Sequence, residues 1–302
     1  MILSPDQADA LSRLLYERLA EDGHKLPAPP WPVIGAGLRG PVFDLGDGSV
    51  LKTVGQGRAL GAAEGVYRRE VLALSHLQDA ALPNAFRAPR LHAHGGLSGI
   101  NGPHGPLGHW LRMDRLSGLP LSHPQALARR SADEMGEELG AALACLHALP
   151  APEPAPGDPL QRFLQLARAR LSAPELLAMA DLIGKGLEEE TAAPVFLHGD
   201  LHLENVFYDP EAGFGLLDWA ECGLGWGEAE WRHFEIRPDW RDAIFRGYKA
   251  GGGALDRRRY YLSAAVDALT SYAIEASTHI RTAQRLRGLL EHCLHQAGIE
   301  TA

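Results

Sequence analysis

Four residues around position 200 constrain the fold of this chain more than any other feature. His198, Asp200 and Asn205 satisfy H-x-D-x-x-x-x-N within Leu197-His198-Gly199-Asp200-Leu201-His202-Leu203-Glu204-Asn205, and Asp218-Trp219 follows thirteen residues after Asn205. The intervening stretch reads as a hairpin: Val206-Phe207-Tyr208, a turn at Asp209-Pro210-Glu211-Ala212-Gly213, then Phe214 to Leu217. Such a hairpin returns Asp218 to the side of Asn205, so an amide oxygen and a carboxylate face one hard cation, a donor set suited to Mg²⁺. Asp200 then stands as a carboxylate base. Together these groups are what phosphoryl transfer to a hydroxyl requires. The plainer reading, in which Asp200 and Asn205 only pin turns, leaves the order of the three roles unexplained.

His198-Gly199-Asp200-Leu201-His202 with Asn205, and Leu217-Asp218-Trp219 with Gly225, resemble the catalytic and metal loops of the aminoglycoside phosphotransferase family. These are relatives of protein kinases that include choline, homoserine and fructosamine kinases. The resemblance implies an α+β, protein-kinase-like fold of two lobes, a small antiparallel-sheet N-lobe and a larger, mainly helical C-lobe. It implies ATP and Mg²⁺ as cofactors and transfer of the γ-phosphate to a hydroxyl of a small acceptor such as an aminoglycoside, an amino alcohol or a sugar. Asp200 is then the base, with His198 and His202 beside it in the catalytic loop, and Asn205 and Asp218 are the metal ligands. The family usually carries an aspartate twelve positions after the metal aspartate; here that position holds Glu230.

A nucleotide pocket needs further parts upstream. Gly35, Gly37 and Gly40 lie in Gly35-Ala36-Gly37-Leu38-Arg39-Gly40-Pro41-Val42, which fits G-x-G-x-x-G-x-V between two short apolar segments. Strand-loop-strand is the context of a loop over ATP phosphates, whereas a dinucleotide fingerprint requires strand-loop-helix. With 34 glycines in the chain the pattern has little weight alone. Asp47-Gly48 then signals a turn into Ser49-Val50-Leu51-Lys52-Thr53-Val54, an alternating strand whose lysine is placed to bind phosphate. A carboxylate on the next helix, over about 61–77, must steady it. Glu70 shares a face with Leu74 and Leu77 and is preferred, with Glu64 the alternative. The stretch 108–118 reads as a strand leading into a connector, Met113 to Leu116, whose backbone would meet the adenine edge.

Composition agrees with a globular, two-lobed enzyme: 302 residues, 45% hydrophobic, net charge −9. The acidic balance argues against a nucleic-acid partner. Cys145, Cys222 and Cys293 fit no zinc spacing and point to a reduced, cytoplasmic chain. No signal-peptide pattern opens the sequence and no run of apolar residues reaches membrane-spanning length. Oligomeric state is not legible. Residues 1–116 are assigned to a nucleotide-binding lobe with an N-terminal helix at 4–22 carrying Leu11, Leu14, Leu15 and Leu19; residues 117–302 are assigned to the helical lobe, with helices through 134–147, 160–171, 174–187 and at least two within 256–297. The histidine-rich stretch from His92 to His104 is expected to be a solvated loop rather than a metal cluster. Glu221, Glu228, Glu230, Glu235 and Asp239 crowd around Trp226, Trp231 and Trp240. Two readings of that cluster stay open, a cradle for a cationic acceptor and a helix start with core tryptophans. A catalytically silent ATP-binding regulator and a protein kinase remain as alternatives, although no Ala-Pro-Glu follows Asp218-Trp219-Ala220.

Overall fold

Period-two apolar patterning gives way to helical spacing near Gly118. The computed structural model describes residues 3–37, 40–55, 63–80, 82, 86–103, 105–127, 130–275 and 280–300. In chain order its elements are α1 (Pro5–Glu21), β1 (Val33–Gly37), β2 (Gly40–Asp44), β3 (Ser49–Gly55), α2 (Ala63–Asp79), β4 (Phe86–Arg87), β5 (Leu91–Gly96), β6 (Asn101–Gly102), β7 (Gly105–Asp114) and β8 (Leu119–Pro120). There follow α3 (Ala132–His147), α4 (Pro159–Arg168), α5 (Pro174–Glu189), β9 (Val195–Leu197), β10 (Val206–Asp209), β11 (Gly213–Leu216), β12 (Gly223–Gly225), a 3₁₀ segment at Gly227–Ile236, α6 (Pro238–Ala250), α7 (Arg257–Glu275) and α8 (Ile280–Gln296). One compact unit comprises Met1–Ala81, Arg87–Ser117 and Gly215–Ala220; the other comprises Leu82–Phe86, Gly118–Phe214 and Glu221–Ala302. Asp218 thus clusters with the strand-rich unit.

In the strand-rich unit, α1 starts at a capping box: Ser4 Oγ accepts the Gln7 amide while Gln7 Oε1 accepts the Ser4 amide. Pro5 at the first helical position loses no hydrogen bond there. Leu11, Leu15 and Leu19, one turn apart, pack with Trp31, Phe43, Leu51 and Trp110 into a single core. Leu14 was expected on the same face, yet it is 53% exposed, because it lies off the i, i+4 stripe. The antiparallel sheet runs β1-β2-β3-β7-β5, with Lys52 opposite Leu111 and Val50 opposite Met113. Strand β1 already contains Gly35 and Gly37 and pairs with β2, with Gly37 opposite Gly40; Leu38 and Arg39 lie outside the described residues. The histidine-rich stretch is a correction in part: β5 and β6 both pair with β7, so it is not a loop, whereas His92 and His94 are exposed as expected. His94 Nδ1 lies 2.6 Å from Tyr67 Oη, and His92 Nε2 lies 2.7 Å from Asp114 Oδ1. His104 lies outside the described residues, among which no cluster of metal-ligating side chains occurs.

The helical unit is built around α7, buried along most of its length from Tyr260 to Thr270. Helix α3 opens with a second capping box, Ser131 with Glu134, and crosses α6, which the sequence reading did not anticipate. That crossing depends on missing side chains: a Cβ at Gly140 would fall on the carbonyl of Ile244, and one at Gly247 on the carbonyl of Glu137. No helix among the described residues is long and apolar enough to cross a membrane.

The α3–α6 crossing separates two outwardly similar substitutions. Gly140→Ala is expected to destabilise the chain by about 1–3 kcal/mol through overpacking. Gly288→Ala, on the exposed face of α8 with nothing within 4 Å, should stabilise it by roughly 0.5–1 kcal/mol. Guanidinium unfolding of the two variants checks both signs.

Candidate active site

The strand-rich unit sets a lysine between two carboxylates. β3 carries Lys52 to a position 14% exposed, where its Nζ donates to Glu70 Oε1 at 2.7 Å and to Asp218 Oδ1 at 2.9 Å. Glu70 is buried on α2 beside Leu74 and Leu77. Glu64, one and a half turns earlier, is instead engaged by Arg68 and by His109. Burial works to lower the Lys52 pKa, but the charges of Asp218 and Glu70 outweigh it and hold the ammonium above the ordinary lysine value. Asp218 adopts φ 62, a left-handed conformation uncommon outside glycine and one that marks a locally strained, over-determined residue. Arg69 Nε donates to the Ala220 carbonyl at 2.7 Å, fixing the loop just beyond it.

The hairpin flanking this lysine is close-packed. A Cβ at Gly40 would stand 2.5 Å from the Thr53 carbonyl, so only glycine fits there. Met113 is buried in β7 between Val50 and Leu91, and the amides of Asp114 and Arg115 are committed to the carbonyls of Arg90 and Gly48. Leu116 is half-buried against Gly215.

In the helical unit, the catalytic segment is held from below by Glu230. This carboxylate is fully buried and accepts the amides of His198 at 2.7 Å and Gly199 at 2.9 Å, with His147 Nε2 at 3.3 Å. Burial alone would raise its pKa; the hydrogen bond and charge of His147 bring it below the usual glutamate value. Gly199 sits at φ +79, and a Cβ there would meet the Glu221 carbonyl, so glycine is required before the aspartate. His198 is buried, and its Nδ1 accepts the Asp200 amide at 3.3 Å. Asn205 Nδ2 donates to the Asp200 carbonyl at 3.0 Å. His202 Nδ1 accepts the Glu204 amide at 3.3 Å, and its Nε2 stands 3.8 Å from Asp200 Oδ2.

Two residues beside Asp200 were not anticipated. His233 Nε2 lies 3.1 Å from Asp200 Oδ1, and Arg232 Nη2 lies 3.6 Å from the same oxygen. Burial pushes the Asp200 carboxyl up, but His233, Arg232 and His202 together hold it well below the usual carboxylate range. The available signal was Arg232-His233 placed between Trp231 and Phe234, two and three positions beyond Glu230.

The acidic and aromatic segment after Asp218 resolves in favour of the second reading. Trp231 and Trp240 are fully buried core residues. Glu228 pairs with Arg259 at 2.9 Å, Glu235 with Arg241 at 2.8 Å, Glu221 with Arg162 at 3.6 Å and Asp239 with Arg237 at 3.6 Å, while Glu230 serves the catalytic segment. These carboxylates lie beside the protein's own cations, and Trp226 is half-buried.

Three comparisons place this arrangement among known proteins. The sequence profile of the phosphotransferase enzyme family, APH, matches residues 31–261. A search of curated sequences gives no significant match. Among solved structures, amicoumacin kinase in complex with AMP-PNP, Ca²⁺ and its ligand is similar at TM-score 0.67 and 11% identity, over 95% of this chain and 96% of that one. An aminoglycoside-3′-phosphotransferase of type VIII is similar at TM-score 0.61 and 22% identity, over 87% and 98%. A choline/ethanolamine kinase family protein from Mesorhizobium loti is similar at TM-score 0.61 and 16% identity, over 89% and 92%. The structural matches share one architecture, the protein-kinase-like fold, and the profile match spans well over half of the chain, so the chain belongs to the phosphotransferase enzyme family.

Proposed function

We propose that the chain is an ATP-dependent, Mg²⁺-requiring kinase that transfers the γ-phosphate to a hydroxyl of a small acceptor. The observation that carries this reading is Lys52 held between Glu70 and Asp218 at 2.7 and 2.9 Å, since a phosphate-binding lysine is useful only when fixed in place. Gly35, Gly37 and Gly40 supply the hairpin over the phosphates, and the connector from Met113 to Leu116 meets the adenine by backbone groups other than the amides of Asp114 and Arg115, which bond to Arg90 and Gly48. Two hard oxygens, from Asn205 and Asp218, suit Mg²⁺, which when bound neutralises charge on the phosphates.

The remaining chemistry belongs to the chain's own residues. Asp200 accepts the proton of the acceptor hydroxyl as that oxygen bonds to the γ-phosphorus, the bond to the β-bridging oxygen breaks and ADP leaves. A carboxylate held well below its usual pKa is a weak base. It therefore acts mainly by orienting the hydroxyl, in keeping with a loose transition state in which little proton transfer is needed early. His198 braces the loop, and His202 stands at its open side.

The acceptor reading follows from the carboxylates already committed to Arg162, Arg237, Arg241 and Arg259. Recognition in that segment does not favour a polycation, so sugars and amino alcohols come before aminoglycosides as candidate acceptors. Three free cysteines, Cys145, Cys222 and Cys293, support a cytoplasmic setting.

ADP release from Mg²⁺ and ATP is the test, run against separate pools of sugars, amino alcohols, homoserine, methylthioribose, fructosamines and aminoglycosides. Turnover is expected in a sugar or amino-alcohol pool and to be weaker with aminoglycosides; Asp200→Asn should lower kcat by about 10²–10⁴-fold. Lys52→Ala should lower kcat by roughly 10²-fold. EDTA should abolish turnover, and added Mg²⁺ should restore it. ATP binding with no turnover in any pool would favour a silent regulator, and label transferred to protein alone would favour a protein kinase.

A further inference from the structure

The imidazole of His233 is the one side chain near Asp200 whose two nitrogens both face carboxylates. Its Nε2 stands 3.1 Å from Asp200 Oδ1, and its Nδ1 stands 2.9 Å from Asp267 Oδ1 on α7. A neutral imidazole carries one donor and one acceptor, so it satisfies one ionised carboxylate and opposes the other; only the doubly protonated ring donates to both. The side chains of His233 and Asp267 are 25% and 19% exposed, so neither contact is a loose surface pairing. Arg232 completes the cluster. It is buried against the Phe163 ring at 4.6 Å, donates to the Gly199 carbonyl at 2.7 Å and lies 3.8 Å from Asp267 Oδ1.

The two oxygens of Asp200 are therefore not equivalent. Oδ1 receives His233, with Arg232 at 3.6 Å behind it. The near neighbour of Oδ2 is His202 Nε2 at 3.8 Å, beyond hydrogen-bond reach. We propose that His233, clamped between Asp267 and Asp200, is a positioning residue that fixes Oδ1 of the base and leaves Oδ2 to take the acceptor hydroxyl. This rests on Asp200 as the base.

The charges facing His233 come from three places: Asp200 and His202 in the catalytic segment, with His198 behind His202; Arg232 at its side; and Asp267 on α7. Burial and Arg232 oppose its protonation, and the two carboxylates overcome them, pushing its pKa up to about 9. A raised pKa places the clamped form below that value and loses it as pH rises through it. His202 moves the other way, its pKa lowered chiefly by burial.

The test combines nitrogen NMR of the histidine rings in the full chain with ADP release in the acceptor pools. His233 should show two protonated nitrogens at pH 7.5 and titrate near 9, and Asp267→Asn should move that titration toward the ordinary histidine range near 6.5. In turnover, His233→Ala should lower kcat by about 10²-fold with KM for ATP unchanged, and His233→Gln, which keeps a donor, should recover part of it. The alkaline fall of kcat near pH 9 should shift to lower pH in Asp267→Asn. A His233 ring that is singly protonated at pH 7.5, or a titration unmoved by Asp267→Asn, overturns the proposal whether or not an acceptor has been found. Wild-type kcat and pH profile in His233→Ala overturn it too, and with Asp200→Asn inactive the kinase reading still stands. Turnover that survives Asp200→Asn overturns the assignment of the base itself. A thermal melt of His233→Ala separates loss of the clamp from local unfolding, and Asp267→Asn, nearly isosteric, carries the same NMR readout.

Discussion

A buried carboxylate with nowhere to go but the backbone organises the catalytic segment. Glu230 is fully desolvated, and such a charge is tolerated only when several donors converge on it. The amides of His198 and Gly199 do so, with His147 as a third partner that is itself fixed by Tyr248 Oη at 2.8 Å. The arrangement works in both directions. Two consecutive amides in an irregular loop would otherwise be unsatisfied in the interior, and the carboxylate would otherwise be an unpaired charge. Each cancels the other's desolvation cost, so the loop has one low-energy course, and Asp200 is delivered at its end.

Charge in the helical unit is largely internal. Arginines 162, 232, 241 and 259 each lie beside a carboxylate, and several of these pairs are more than three-quarters shielded from solvent. The negative balance of the chain is thus a poor guide to what it binds, because the carboxylates that seemed available are those that hold helices and loops together. The cluster at Asp200, Asp267, Arg232 and His233 follows the same rule at the place where chemistry is expected: two negative and two positive groups, close to neutral as a set.

What the sequence disclosed and what it withheld differ in a physical way. The strands around Lys52, the face of α2 bearing Glu70 and the caps of α1 and α3 depend on local periodicity and on side-chain to backbone bonds a few residues apart, so they were legible. The order of His198, Asp200, Asn205 and Asp218 was legible for the same reason. The pairing of the histidine-rich strands with β7 was not, since His92 and His94 alternate only with Leu91 and Ala93 before Gly95-Gly96, too weak an apolar signal. Helix α6 escaped because its core face, Trp240, Ala243, Ile244 and Tyr248, follows residues read as an acceptor cradle. The His233 contact with Asp267 spans 34 residues of chain and joins a 3₁₀ segment to the middle of a buried helix, a long-range relation that no window of sequence records.

Asp218 divides its attention between a lysine and whatever lies on its remaining oxygen, and it does so from a left-handed backbone conformation that limits its adjustment. A group in that position cannot treat its two neighbours independently: electron density drawn toward the ammonium is unavailable to a cation opposite, and the reverse. With Asp218 as the proposed cation ligand, affinity for metal and affinity for phosphate would be linked quantities with a shared coupling free energy, reciprocal by thermodynamic necessity. An alteration that weakens either one through this carboxylate would register in titrations of both.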